Sequence, residues 1–188
     1  MGTTMSRRAT YDDLLNVPEP LVAEILDDEL ITSPRPAARH AHTSSALGGE
    51  LFGPFQRGRG GPGGWLIIDA PELQLGADVL VPDLAGWRRE RMPSVPDTAA
   101  FSLPPDWICE VISSSTERID RSRKLPIYAR EAVGHAWLIN PLARTLEVYR
   151  RAREGWLLVA THADAERPRA EPFEAIELDL PSLWDDPP

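Results

Sequence analysis

The 188-residue sequence has one cysteine, one lysine and no apolar run long enough to cross a membrane. A single thiol excludes a disulfide within the chain and fits a reducing compartment. The N-terminus also lacks the apolar stretch of a secretory signal, so the expectation is a cytoplasmic protein with no membrane partner. Positive charge is scarce as well: 20 Lys and Arg stand against 29 Asp and Glu, for a formal net charge of −9. Duplex binding normally leans on a basic footprint, so this balance argues against tight, sequence-tolerant binding of DNA. The Gly-rich stretch at 56–64, QRGRGGPGG, lacks the Gly-Lys-Ser/Thr ending of a phosphate-binding loop and reads as a flexible connection.

An apolar share of 42% with six tryptophans is ample for a packed core. The expected organisation is one domain over residues 1–188, with 1–9 disordered and 161–175 a loose tail before an apolar segment at 176–184 that docks back. Nineteen prolines and thirteen glycines imply many loops.

The most informative stretch runs from Pro104 to Tyr128, PPDWICEVISSSTERIDRSRKLPIY. Residues 107–112 are apolar on both alternating faces except at Glu110, the pattern of a strand buried on both sides. A carboxylate there is costly unless it is paired, protonated or metal-bound, so Glu110 needs a partner. Cys109 points to the opposite face and reads as a core residue. Ser114 with Glu117 three residues later is a capping-box signature for a following helix. On that helix Asp120, Lys124 and Tyr128 share one face, and Asp120 can pair with Lys124. Nineteen of the twenty basic residues are arginine, and Lys124 is the exception. An amine can be tuned to orient or deprotonate water, whereas a guanidinium cannot.

Upstream, Thr10 caps a short helix, and 21–32 reads as a hairpin turning at Asp27 and Asp28, with Glu24 and Glu29 as exposed hairpin charges. Residues 43–55 carry a helix stripe of Leu47, Leu51 and Phe55; His42 stands just before it, with Thr43 a possible cap. Glu50 lies on that helix. Strands are expected at 65–70 and 79–87. Pro82 inside the latter implies a bulge or the parting of two strands, which makes Asp83 the candidate partner of Glu110. The charged loop at 88–100 is a candidate cover for the site. A strand at 136–140 and a hairpin of 145–150 and 156–160, turning at Glu154-Gly155, complete the sheet.

The ordered set of VPD at 81–83, PDWICEVIS at 105–113, Thr116, Asp120, Lys124, Tyr128 and Trp137, with EILDDEL, the SPRP loop and His42 before it, resembles the bacterial Uma-two family of restriction-endonuclease-like proteins. The resemblance covers most of the chain. It implies the PD-(D/E)XK nuclease superfamily and an α/β fold (α+β, mixed sheet) whose core is helix, three strands, helix, strand, flanked by N-terminal and C-terminal hairpins. It implies Asp83 and Glu110 as Mg²⁺ ligands, Mn²⁺ as a possible substitute, with the Val111 carbonyl as a third ligand. Ile112 stands where the superfamily lysine would fall, and Lys124 matches the family's displaced position. Asp120 would orient Lys124, while Ser113 and Thr116 would touch phosphate or cap the helix, and His42 would support the site. Pro126 departs from the pattern and should kink the helix just past Lys124.

The implied activity is metal-dependent endonucleolytic hydrolysis of nucleic acid, with DNA the expected substrate and a homodimer the expected assembly. A glycosidase would also use two carboxylates but gives no role to a lysine. The stronger rival is a catalytically inactive binding or regulatory protein, in which Asp83 and Glu110 stand apart or Lys124 serves only as a salt bridge.

Overall fold

The structure is a computed structural model that describes residues 7–153 and 155–184. Its two sheets meet at the proline of the VPD sequence. The smaller contains β1 (Leu21–Leu26), β2 (Glu29–Pro34), β4 (Leu73–Leu75) and β5 (Asp78–Leu80), in the order β2-β1-β5-β4. The larger contains β3 (Trp65–Asp69), β6 (Leu84–Arg88), β7 (Trp107–Val111), β8 (His135–Asn140), β9 (Thr145–Ala152) and β10 (Gly155–Ala163), in the order β10-β9-β8-β7-β6-β3. The fold is thus mixed α+β, as expected. The expected strand at 79–87 is two strands in different sheets, because Pro82 has no N–H to give a ladder.

Helices supply the other layers. After α1 (Tyr11–Leu15), with Thr10 and Asp13 forming a reciprocal capping box, comes α2 (Ala38–Leu51), continued by a π turn over Phe52–Gln56. Between the parallel strands β7 and β8 run α3 (Glu117–Ile119), a π turn at Asp120–Lys124 and α4 (Leu125–Arg130). The short α5 (Leu180–Leu183) ends the described chain. In the hairpin turn Asp27 and Asp28 adopt φ of 49° and 67°, a left-handed conformation that aspartate tolerates without glycine.

β7 is buried at every position, and its two faces feed two cores. Trp107 and Cys109 pack with Leu47, Leu51, Phe55, Trp137 and the C-terminal segment, while Ile108 packs with Trp87, Tyr128 and Leu138 on the other face. Burial pushes the Cys109 thiol pKa up, which keeps it protonated and inert, in keeping with a core role.

Several expectations need correction. The first long helix starts at Ala38, five residues before Thr43, and Thr43 caps nothing; its hydroxyl donates to the Leu183 carbonyl at 2.9 Å. Residues 161–175 are not loose: β10 extends to Ala163, and Phe173 is buried against Phe55, Trp65, Trp107 and Trp137. The capping pair after β7 is Ser113 with Thr116, not Ser114 with Glu117. Of the expected disordered stretch 1–9, residues 1–6 lie outside the described residues, while Ala9 donates to the Asp28 carbonyl at 2.8 Å. Glu154 of the expected turn also lies outside them.

Phe173 tests the docking of the C-terminal segment. Phe173→Ala should lower unfolding free energy by about 3–5 kcal/mol, the range for large aromatic truncations in a packed core. Urea titration checks this, and a loss within error would mean that the segment is not part of the core.

Candidate functional site

The second acidic position was expected beside the first because of Pro82, and the register gives the reason. β6 and β7 are antiparallel with Leu84 opposite Cys109, so continuing the ladder one step past the strand end sets Asp83 level with Glu110. Asp83 is held there by the Val111 N–H, which donates to its Oδ2 at 2.7 Å. Val111 therefore meets Asp83 through its nitrogen.

The helix that follows β7 must return to start β8 in parallel, which carries its inner face back over the strand ends. A proline at position 126 would clash with the carbonyl of residue 122 in a regular α-helix. The chain answers with the π turn: the Leu125 N–H bonds Asp120 O, five residues back. This widened turn carries both Asp120 and Lys124 inward, and both are buried.

Lys124 is 5% exposed, and its Nζ lies 2.9 Å from Glu110 Oε1, 3.0 Å from Glu24 Oε1 and 3.9 Å from Asp120 Oδ1. It also donates to the Val81 carbonyl at 3.3 Å. Tyr128, one turn on, donates its hydroxyl to Glu110 Oε1 at 2.7 Å. The expected face of Asp120, Lys124 and Tyr128 is thus the face that meets Glu110. The Asp120 pairing is the longest of the three carboxylate contacts.

Two site residues were missed by sequence reasoning. Glu24, expected as an exposed hairpin charge, is 6% exposed and accepts from the Val81 N–H at 2.8 Å, because β1 pairs with β5 at Ile25 and Val79. Its signal was available: it sits inside the apolar run LVAEIL, as Glu110 sits inside WICEVI. The second is His40, whose Nε2 lies 3.3 Å from Asp83 Oδ2. His42 is exposed and does not line the site. With α2 beginning at Ala38, residues 40, 43, 44, 47 and 51 share one face, and His42 falls outside that stripe. Glu29, by contrast, is exposed as expected and pairs with Arg123.

These groups line a cavity of about 240 Å³ whose walls include Glu24, His40, Asp83, Glu110, Asp120 and Lys124. Its rim is formed by residues 33–37 on one side and 113–116 on the other. The loop at 88–100, expected as a cover, contributes nothing to it; Met92 packs into the core instead. Ser113 and Thr116 hydroxyls lie 3.0 Å apart and bond each other's backbone N–H groups, so both stand at the rim already committed to capping. Glu50 does not line this cavity.

Charge is unbalanced there. Four carboxylates face one buried ammonium, and Arg35, the other cation of the lining, spends its guanidinium on the Glu19 carbonyl at the exposed rim. Burial pushes the Glu110 carboxyl well above its ordinary value; Lys124 opposes this, and Asp120, Asp83 and Glu24 add to it. Burial likewise raises Asp120, again against the pull of Lys124. For Lys124 itself burial favours the neutral amine, but Glu110 and Glu24 outweigh it and hold the ammonium above its usual range. His40 is lowered by burial and raised further by Asp83, for a net increase. Among the described residues no cluster of three or more His, Cys, Asp or Glu is arranged to hold a metal ion.

The chain matches the Uma2 family, described as "Putative restriction endonuclease", over residues 8–181, and it belongs to that family. No curated protein matches it. Among solved structures it is similar to an Anabaena variabilis protein described as "a putative nuclease belonging to DUF820", with a TM-score of 0.71 and 21% identity, over 94% of this chain and 97% of that one. At that identity the likeness concerns the fold. No helix among the described residues is long and apolar enough to cross a membrane.

The raised Glu110 pKa carries a sign that can be tested. A carboxyl whose folded value lies above its ordinary 4.5 adds stability that is complete below that value and is lost as pH rises through the folded value. Wild type should therefore lose melting temperature as pH rises above the ordinary carboxylate range, and Glu110→Gln should lose less. Equal slopes by differential scanning fluorimetry would mean that Glu110 is not the strained carboxyl.

Proposed function

We propose that this protein is a metal-dependent endonuclease that hydrolyses phosphodiester bonds of nucleic acid, DNA foremost, and that residues 1–188 form one restriction-endonuclease-like domain. The observation that carries the reading is the excess of four carboxylates over one ammonium in a partly open cavity at the strand ends. Like charges so close resist ionising together, and a divalent cation relieves them directly.

The donor set fits a hard cation in kind. The hydrogen bonds of Asp83 and Glu110 fall on one oxygen each, Oδ2 and Oε1, which leaves each carboxylate a second oxygen. His40 Nδ1 is a buried polar atom without a hydrogen-bond partner beside Asp83, so the site has polar capacity to spare. Mg²⁺ typically takes only one or two carboxylates and keeps several waters, so two side-chain ligands suffice. Asp83 and Glu110 would hold Mg²⁺, or Mn²⁺ in its place, with the Val111 carbonyl as the backbone ligand. When bound, such a cation polarises the scissile phosphate and acidifies a water.

The protein's own groups do the rest. Lys124 is kept charged by Glu24 and Glu110, so it acts as a fixed donor that positions the attacking water and stabilises charge developing on phosphate oxygens, not as a base. Tyr128 and Glu24 fix the geometry from below. Asp120 backs the ammonium from its own turn, and His40 orients Asp83. Ser113 and Thr116 shape the rim through which substrate enters.

One observation favours a second reading. The 2.9 Å pair between Lys124 and Glu110 is what an inactive binding or regulatory protein on this fold would use as a structural salt bridge. Isothermal titration of Mg²⁺ and Mn²⁺ separates the two. Wild type should bind, and Asp83→Asn and Glu110→Gln should not. Lys124→Met should keep metal binding while cleavage of single- and double-stranded oligonucleotides falls about 10²–10³-fold, as when one preorganised donor is removed. Wild type that binds neither metal and cleaves nothing would leave the inactive reading standing.

A further inference from the structure

β10 is the outer strand of the six-stranded sheet, paired to β9 on one side only. It is nine residues long, GWLLVATHA, and contains no Asp, Glu, Lys, Arg or Pro. Natural edge strands are normally blunted by charge, proline or a covering element, since an open edge is a template for another strand. Here the edge is also, among the described residues, an exposed run of three consecutive large apolar side chains: Leu157, Leu158 and Val159 are 50%, 49% and 37% exposed. Neighbouring residues on a strand face opposite sides of the sheet. Exposure of consecutive residues therefore leaves both faces bare, and the missing neighbour lies beside the strand and not above one face.

The flanks indicate what that neighbour is. The segment before β10 reads RRARE at 150–154; Arg150 is held by Glu171 at 3.3 Å and Arg151 donates to the Ala129 carbonyl, while Arg153 is exposed. Asp164 and Glu166 follow the strand and are exposed, Glu166 lying 2.9 Å from His162 Nδ1 and accepting from the Ala163 N–H, while the next residue, Arg167, is turned away to Asp179 at 3.2 Å. An uncharged centre with a basic start and an acidic end is self-complementary when reversed.

We propose that β10 pairs antiparallel with β10 of a second copy of this chain, across a two-fold axis near Leu158, joining the two six-stranded sheets into one. Main-chain hydrogen bonds would supply the pairing along the regular stretches on either side of the bulge between Leu158 and Ala160. The Leu157–Val159 segments of the two copies cover each other. Arg153 of each copy then lies beside Asp164 and Glu166 of the other, the isologous arrangement of a closed dimer. A parallel pairing would set like charges together. This inference does not rest on the catalytic reading.

Size-exclusion chromatography with light scattering at micromolar protein and low salt should give twice the 20.8 kDa chain mass. Leu158→Lys, at an exposed position, should give a monomer with unchanged far-ultraviolet circular dichroism. Arg153→Glu should weaken the dimer several-fold, and adding Glu166→Arg to the same chain should restore it. A monomeric wild type would overturn the proposal and leave the edge to a strand from another protein. A dimer that survives Leu158→Lys would place the interface elsewhere and overturn it as well.

Discussion

Placing one ammonium among carboxylates away from water is the constraint around which this fold is arranged. Burial alone favours the neutral amine of Lys124, which is 5% exposed, and pushes the Glu110 carboxyl toward its protonated form. Glu110 and Glu24 hold the ammonium charged, but Asp83 and Asp120 share the cavity and the Glu110 carboxyl stays above its ordinary pKa. Each surrounding element can be read as a device for this cluster. β1 brings Glu24, the break at Pro82 frees Asp83, β7 carries Glu110, and the π turn before Pro126 turns Asp120 and Lys124 inward. Breaking such a buried set by removing one partner generally costs about 3–5 kcal/mol, so the site and the stability of the fold are tied together.

That coupling also explains why the same geometry supports two readings. A cluster with surplus negative charge is poised for a cation, and a lysine among carboxylates is also a self-contained salt bridge. Proteins of this architecture place function in the site and not in the sheet. The distinguishing physical quantity is affinity for a divalent ion, because a satisfied salt bridge has no use for one. The overall charge of −9 bears on the same question. On the catalytic reading, an acidic protein would bring phosphate to its site through local contacts and not through a long-range field.

Some of the candidate site was legible from spacing alone. Glu110 stood out because a carboxylate inside a doubly buried strand demands a partner, and Lys124 because one amine in an arginine-only composition marks a position. Asp120, Lys124 and Tyr128 fell on one face by helical spacing, and the structure keeps them together even though a π turn replaces the regular helix. Glu24 and His40 were misplaced for identifiable reasons. The apolar run LVAEIL marks Glu24 as out of keeping with its surroundings, but the hairpin's own sequence does not show the partner that buries it, since β1 pairs with β5 as well as β2. Residue 42 reads as standing before the helix, whereas α2 starts at Ala38 and includes it, off the face that residues 40, 44, 47 and 51 share.

Local sequence determined the strands and helices with strong period, the hairpin turn at Asp27 and Asp28, the parting of strands at Pro82, and the two residues most out of keeping with their surroundings. These are short-range matters of backbone sterics, side-chain direction and the cost of burying charge. Only the tertiary structure decided that Asp83 stands level with Glu110, that Glu24 and His40 join them, and that residues 161–175 close the core through Phe173. Those outcomes depend on strand register and sheet order between segments far apart in the chain, and a residue pattern read along one segment carries no information about the segment it will meet.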